Sequence, residues 1–367
     1  MSGGVDSSVA AALLLRDGYQ VVGAYMKQWS DSKDLHGICS WKDDRREALR
    51  VAAHLGIPLL TLDFEKEYKQ WVVKYMFAEY KLGRTPNPDV MCNKFVKFGV
   101  WLEKALEMGF DYMATGHYAR LASSNQLSDF RSKNFNHTEV RSPKADCQST
   151  FQLMEAKDKE KDQTYFLHQV SQKQLQHVLF PVGEYTKKQV RALAKKFGLP
   201  TAEREESMGI CFIGEVPMKE FLQQKIQPKK GKIVTSLGNA VGEHEGLPFY
   251  TIGQRHGFSQ AGGGKPLFVV AKDQKKNVLV VGNEDDSLLY RKQIEVGELN
   301  WCGGQEPDFP LECTVRLRHR QPLQKVMVVK VGSNIVVQCK NSQKAVTPGQ
   351  FAVFYKNGEC LGGGVIA

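Results

Sequence analysis

The string Ser2-Gly3-Gly4-Val5-Asp6-Ser7-Ser8, followed at once by the apolar run Val9 to Leu15, constrains this chain more than any other segment. It is a glycine-rich turn that feeds directly into a helix. Gly3 and Gly4 accept backbone angles closed to other residues and let the chain approach a ligand closely. A helix start leaves its first N–H groups unpaired and carries partial positive charge, so it attracts phosphate. Ser7 and Ser8 can cap the helix or donate to the same anion. The segment carries no Gly-Lys-Ser/Thr, which separates it from the usual P-loop. An ordinary capped helix would not need the whole string.

The segment resembles the pyrophosphate loop (PP-loop) of the ATP pyrophosphatases, which adenylate an oxygen and release pyrophosphate. Such a loop follows a buried strand, yet only Met1 precedes Ser2. A strand ahead of Ser2, in the middle of the sheet, is therefore expected in a complete domain. A chain without it is expected to lose stability and activity.

Downstream, strands alternate with helices. Gln20 to Met26 and Ile57 to Asp63 read as buried strands, and Asp111 to Thr115 as another. Between them, Asp43 to Leu55, Glu65 to Leu82 and Phe95 to Met108 have helical periodicity. This alternation predicts a parallel sheet covered on both faces, with ligands at the carboxyl ends of its strands. From 123 to 150 the pattern gives way to Ser, Asn, Asp, Lys and Gln, which predicts an exposed insertion. Thr186 opens a further helix with Gln189 three positions on, a capping box.

After about residue 216 the texture changes. Pro and Gly punctuate short segments. From Pro266 the runs are short and β-branched: Leu267–Val270, Val278–Val281, Glu312–Leu317, Lys325–Val331, Ile335–Cys339 and Phe351–Tyr355. At 367 residues the chain exceeds one typical core. The expected architecture is an α/β, Rossmann-like catalytic domain over 1–215, a small connecting domain over 216–285 and a C-terminal antiparallel β-barrel over 286–367.

The net charge of +10 favours a polyanionic partner, nucleic acid first. No apolar stretch approaches the length of a membrane span, so no membrane partner is expected. The eight cysteines (Cys39, Cys92, Cys147, Cys211, Cys302, Cys313, Cys339 and Cys360) include no C-x-x-C pair. Zinc, thioredoxin-type and iron–sulfur sites are therefore unsupported, and no protein metal site is expected.

Two cysteines stand in distinctive strings. Arg84-Thr85-Pro86-Asn87-Pro88-Asp89-Val90-Met91-Cys92-Asn93 is a proline-stiffened loop expected to lead into a helix near Asn93. That would set Cys92 at a helix N-terminus with Lys94 nearby, two influences that favour a thiolate. Ser207-Met208-Gly209-Ile210-Cys211-Phe212-Ile213-Gly214 surrounds Cys211 with apolar residues. Taken alone, each cysteine is also compatible with a small core residue.

These strings, with Ala114-Thr115-Gly116-His117-Tyr118-Ala119-Arg120, Lys161-Asp162-Gln163-Thr164-Tyr165-Phe166-Leu167 and Tyr250-Thr251-Ile252-Gly253-Gln254-Arg255, resemble the tRNA-specific 2-thiouridylase family from residue 2 to the C-terminus. The resemblance implies ATP-dependent adenylation of the C2 oxygen of a wobble uridine, then attack by a persulfide sulfur to give 2-thiouridine. It implies Cys211 as persulfide carrier, Cys92 as the second catalytic cysteine, able to close a disulfide with Cys211, and Asp89 as acid/base. It assigns ATP to Ser2, Gly3, Gly4, Val5, Asp6, Ser7, Ser8, Met26 and Gly116. Mg²⁺ is expected to bridge the phosphates, with Asp6 the nearest carboxylate.

For tRNA the resemblance implies Asn87, Pro88 and Asp89 at the target base, with His117, Lys161, Asp162, Gln163, Arg318, His319 and Gln350 as further contacts. Sulfur is expected from a cysteine desulfurase or a relay protein, and the substrates among the Lys, Glu and Gln tRNAs. The family works in the bacterial cytoplasm and in mitochondria; with nothing marking an organelle, the cytoplasm is expected. Two rivals remain at this point. Another PP-loop ligase or amidotransferase would not need the two cysteine strings. A non-catalytic RNA-binding protein would not need Ser2 to Ser8.

Overall fold

The computed structural model describes residues 1–28, 40–123, 150–205, 218–255 and 266–367. Helix α1 (Val5–Arg16) starts at Gly4 and buries Val5, Val9, Ala10, Ala11, Ala12 and Leu13. Its small alanines admit close neighbours on more than one side. One neighbour is the helix Lys187–Lys196, whose Val190 and Ala194 join Val5, Val9, Ala12 and Leu13 in a single cluster. That helix begins on the expected capping box. Gln189 N–H donates to Thr186 Oγ1 (3.3 Å), and Thr186 N–H donates back to Gln189 Oε1 (2.9 Å).

Strand β1 (Gly23–Lys27) pairs in parallel with β2 (Leu59–Asp63), and β3 (Met113–Ala114) pairs in parallel with β6 (Val178–Leu179). Among the described residues no ladder joins the two pairs, and the ammonium of Met1 donates to Ala24 O on β1. Two long helices, 65–81 and 88–107, cover this layer. Each contains a π-helical segment, Lys69–Val73 and Cys92–Trp101, and they meet through stacked Trp71 and Phe95 rings 4.9 Å apart.

Strands β4 (Ala119–Ser123) and β5 (Phe151–Glu155) form an antiparallel hairpin in which Ser123 faces Phe151. Most of the insertion, 124–149, lies outside the described residues, but it joins two adjacent strand ends. Replacing residues 124–150 by Asn-Gly is therefore expected to leave the fold intact and to raise stability by about 2 kcal/mol at most, the closure entropy recovered. A urea titration of the shortened chain checks this.

The next four strands, β7 (Gly231–Thr235), β8 (Ala240–His244), β9 (Phe268–Asp273) and β10 (Val278–Gly282), make one sheet in the order β8-β7-β10-β9. Its core is Ile233, Leu247, Tyr250, Val269, Leu279 and Val281. The first two β-branched runs read from the sequence build this sheet, inside the stretch expected to form the connecting domain.

The barrel comprises β11 (Tyr290–Trp301), β12 (Leu311–Arg316), β13 (Gln324–Val331), β14 (Asn334–Lys344), β15 (Phe351–Lys356) and β16 (Glu359–Ile366). The strands run β11-β14-β13-β12-β15-β16, and β11 pairs again with β16 to close the ring. Alternating residues such as Val296, Val315, Val328, Val337 and Phe354 fill it. Strand β16 is glycine-rich because its neighbours come close: a Cβ on Gly364 would lie 2.3 Å from Gly297 O, and one on Gly363 would lie 2.4 Å from Ala352 O.

The barrel and the α/β part are continuous. β5 adds to the barrel sheet beside β16 through Met154 and Glu359, and Glu155 N–H donates to Gly358 O at 2.8 Å. One apolar cluster runs from Cys92, Val96, Leu153 and Tyr165 into Phe351, Val353, Tyr355 and Val365. This packing presses the barrel rim onto the Cys92 segment.

Candidate active site

Cys92 does not open its helix. The helix begins at Pro88, with Asn87 as N-cap accepting Val90 N–H at 3.3 Å, so Cys92 lies past the first turn and close to no N-terminal dipole. Lys94 is also turned elsewhere, donating to Gln169 Oε1 at 2.9 Å. The cation that acts on Cys92 is Lys97. Burial dominates and pushes the Cys92 thiol up to about 11, against the smaller opposing pulls of Lys97 and of a hydrogen bond from Gln28, while Asp89 adds to the rise. The resting group is a buried thiol, not the activated thiolate expected from helix position. Burial holds the His117 imidazole well below its usual range, and Lys97 adds to the lowering.

Gln28, 1% exposed just past β1, joins Met26 to Cys92. Its Nε2 donates to Met26 Sδ at 3.0 Å and to Cys92 Sγ at 3.7 Å. Neither Gln28 nor Lys97 was singled out by the sequence. A Lys five positions after a Cys gives no signal until the helix takes π pitch.

The PP-loop lies at the start of α1. Gly4 is the N-cap and offers no side chain, so the first N–H groups have no side-chain cap. Ser7 and Ser8 do not cap: their hydroxyls turn back to Gly4 O at 3.1 and 2.8 Å. Arg204 donates to Gly3 O (2.7 Å) and pairs with Asp44, holding the turn from outside. Asp6 accepts Tyr118 OH (2.9 Å) and both oxygens meet Lys187 Nζ (2.7 and 2.8 Å). Gly116 abuts this turn so closely that a Cβ there would lie 2.7 Å from Ser7 N. Ser2 N–H donates to Ser7 Oγ (3.1 Å) and Gly4 N–H to Ser2 Oγ (3.4 Å), while the uncapped N–H groups that follow at the start of α1 form a cradle that fits a phosphate group. Among the described residues no three His, Cys, Asp or Glu side chains group as a metal site.

The positions expected to meet RNA divide in two. On the barrel side, Gln350 Nε2 donates to Thr85 O (2.8 Å) and Pro86 O (3.2 Å), bracing the loop ahead of Asn87, Pro88 and Asp89. Arg318 is exposed and reaches Thr347 Oγ1 (2.9 Å) and Ile252 O (3.3 Å). Thr85, Arg318 and Gln350, with Thr251, Ile252, Gly253 and Gln254, line a cavity of about 370 Å³ where all three parts of the chain meet. His319 stands near Asp89, its ring 4.4 Å from that of Phe166; burial first of all lowers it below the usual imidazole range.

The 161–163 segment is placed differently. Lys161 and Gln163 are half-buried, but the Asp162 side chain is enclosed. It accepts Arg316 Nη1 (2.7 Å), Thr164 Oγ1 (2.7 Å) and Ala156 N–H (2.9 Å), so it is a structural carboxylate and not a side chain offered to RNA. Arg316 Nη2 also reaches Glu155 Oε1 at 3.1 Å. Gln163 Oε1 takes Tyr118 N–H (2.9 Å), linking this segment to the residue that holds Asp6.

Cys211 lies outside the described residues, as do Cys39 and Cys147. Cys92, Cys302, Cys313, Cys339 and Cys360 are free thiols, and the last four belong to the barrel or its edge.

Comparison with known proteins matches residues 1–215 to the tRNA methyl transferase HUP domain, 219–283 to the tRNA methyl transferase PRC-barrel domain and 291–366 to the aminomethyltransferase beta-barrel domain. The chain is 44% identical to the tRNA-specific 2-thiouridylase MnmA of Streptococcus sanguinis over 372 residues, covering all of this chain and 93% of that protein. Coverage is the same for the MnmA proteins of Geobacillus thermodenitrificans (44% identical) and Halalkalibacterium halodurans (45% identical). No helix among the described residues is long and apolar enough to cross a membrane. Identity of this level over the full length, on a chain with a PP-loop at α1 and a cysteine helix under the barrel rim, places the protein in the tRNA-specific 2-thiouridylase (MnmA) family of PP-loop ATP-using enzymes.

Proposed function

We propose that this chain is an ATP-dependent tRNA-uridine 2-sulfurtransferase that converts the wobble uridine to 2-thiouridine. The observation that carries the reading is Gln28, one side chain touching both Met26, on the nucleotide side, and Cys92, the candidate nucleophile. A shared site for adenylation and thiol chemistry needs that proximity. Neither rival does. A ligase of the same superfamily has no use for the buried thiol, and a passive RNA binder has no use for the cradle.

ATP, when bound, supplies the adenylate that turns the uridine C2 oxygen into a leaving group. The α1 cradle holds the phosphates through its backbone N–H groups, and Gly116 leaves it open. Mg²⁺ would rest on Asp6 and on phosphate oxygens. Cys211, loaded as a persulfide by a cysteine desulfurase or a relay protein, presents its outer sulfur to C2, and AMP departs. Cys92 then attacks the inner sulfur of the resulting mixed disulfide. The C2–sulfur bond stays, the S–S bond to Cys211 breaks, and a Cys92–Cys211 disulfide forms, which an external dithiol reduces. In the alternative order Cys92 attacks the persulfide first and releases hydrosulfide, which displaces AMP. Asp89, three residues before Cys92 on the same helix face, is the proton carrier for thiol or uridine. Asn87 and Pro88 shape the pocket for the extruded base. His117, Lys161, Gln163, Arg318, His319 and Gln350 flank the anticodon of a Lys, Glu or Gln tRNA in the cytoplasm.

The test is transfer itself: protein, Mg²⁺-ATP, a desulfurase with cysteine, and unmodified tRNA-Lys, with nucleosides read by mass spectrometry. Product that requires ATP and the desulfurase supports the reading; none under any condition sinks it. Gly116→Ala adds an independent check on the cradle. The added methyl would press on Ser7 N, so ATP affinity measured by calorimetry is expected to fall by about tenfold or more, ~1.4 kcal/mol.

A further inference from the structure

Gln28 has a buried amide with only one of its two ends engaged. It follows the last residue of β1, at the carboxyl end of a parallel strand, where sheets of this kind bind their ligands. It is enclosed, yet a glutamine amide carries two donors and a carbonyl acceptor. The nitrogen end is in use, since Nε2 donates to both Met26 Sδ and Cys92 Sγ. A thioether can only accept, so the contact with Met26 fixes which end of the amide is the nitrogen. The oxygen end finds no donor among the described residues. An apolar side chain of the same length would avoid the cost of burying that carbonyl, so packing alone does not explain the amide. A buried polar atom left in this state points to a ligand.

The carbonyl shares its carbon with Nε2 and therefore stands beside the Cys92 thiol, where the target base must arrive. With the nitrogen held by two sulfurs, the amide presents an acceptor and nothing else. The matching group on a ligand is one N–H donor. Uracil carries one at N3, next to C2, the carbon that receives sulfur. Cytosine has the same ring and the same C2 carbonyl but a lone pair at N3. An acceptor fixed against N3 attracts the first base and repels the second. Because the carbonyl is already stripped of solvent, a base that brings a lone pair to it gets no compensation. A base extruded into a snug pocket is the form in which a nucleotide reaches so enclosed a group. Asn93 Oδ1 is also buried without a partner, but the Asn93 amide donates to Phe166 O (3.1 Å), and neighbouring helix residues point to different sides.

We infer that Gln28 is a specificity-determining residue whose Oε1 accepts the N3–H of the extruded wobble uracil, admitting U and rejecting C. The contact holds the incoming base and transfers no proton. The inference rests on the 2-thiolation reading above and names the group that reads the base.

The test is equilibrium binding of unmodified tRNA-Lys, with either U or C at the wobble position, to the full chain. An ATP analogue that cannot release pyrophosphate is present, and the parent is compared with Gln28→Met and Gln28→Leu. The quantity read is the ratio of the two dissociation constants on one protein sample, so a variant that folds only in part still reports it. The parent is expected to favour U over C by roughly 10- to 100-fold, and both variants to bring the ratio to within about threefold of one. A ratio that the substitutions leave unchanged would overturn the inference, even if both tRNAs bind more weakly, because Gln28 would then serve only Cys92 or the nucleotide. A parent that binds the two tRNAs equally would overturn it as well. A parent that binds neither would instead sink the tRNA reading itself.

Discussion

Cys92→Ser is expected to abolish 2-thiouridine formation, by about 10³-fold or more, while leaving the fold in place. Serine fits the buried site and retains a partner for Gln28 Nε2, so the stability cost should stay within about 1–2 kcal/mol. Pyrophosphate release on tRNA should persist, because adenylation does not use the thiol. Nucleoside mass spectrometry and a pyrophosphate assay on one sample separate the two steps. Sulfur transfer in the parent carries a further signature. With the Cys92 thiol pushed up to about 11 by burial, it is almost entirely protonated at neutral pH. Where deprotonation of Cys92 limits the transfer, the rate should climb about tenfold per pH unit from 7 to 9. Undiminished product from Cys92→Ser would remove the thiol from the mechanism.

Arg316→Met is expected to be the most damaging change outside the reacting groups. Arg316 is buried between Asp162 and Glu155 and also covers the Tyr355 ring, its guanidinium 5.0 Å from the ring centroid. Truncating it leaves the enclosed Asp162 carboxylate without its cation and Glu155 with Lys159 alone (3.1 Å), a defect that typically costs about 3–5 kcal/mol. The urea midpoint should fall accordingly, and tRNA affinity with it, because His319 rests on the Asp162 carbonyl (3.3 Å). Adding Asp162→Asn and Glu155→Gln to Arg316→Met should restore part of the stability, since the buried charges are then removed together. A single variant no less stable than the parent would contradict this account.

Much of this was legible locally. The PP-loop, the capping box at Thr186 and the strands β12 to β15 each rest on residues within one turn or one strand of each other, where period and capping chemistry act. The start of the Cys92 helix could have been read as well. Asn87-Pro88-Asp89 is an N-cap, a proline at N1 and an acid in the first turn, but two prolines suggested a stiff loop. Lys97 and Gln28 could not be found that way, because π pitch and the end of β1 bring them to Cys92. The burial of Asp162, a position given by the resemblance, was hidden for the same reason: its partner Arg316 is 154 positions away. Strand β16 escaped because glycines depress strand propensity, and only barrel closure gives them a reason.

The shared ladder between β5 and β16 bears on how such a protein can evolve and be dissected. A barrel whose sheet is extended by a strand from elsewhere in the chain, and which shares a core with it, is not a detachable module. Cutting ahead of β11 would strip apolar surface from both fragments and leave the β16–β5 junction unpaired. The α/β part and the barrel should therefore unfold as one cooperative unit, and neither can be lost or exchanged alone. The sheet over 231–282 has its own core, so outside the Thr251–Gln254 stretch that meets Thr85 and Arg318 it is the part with most room to drift or lengthen.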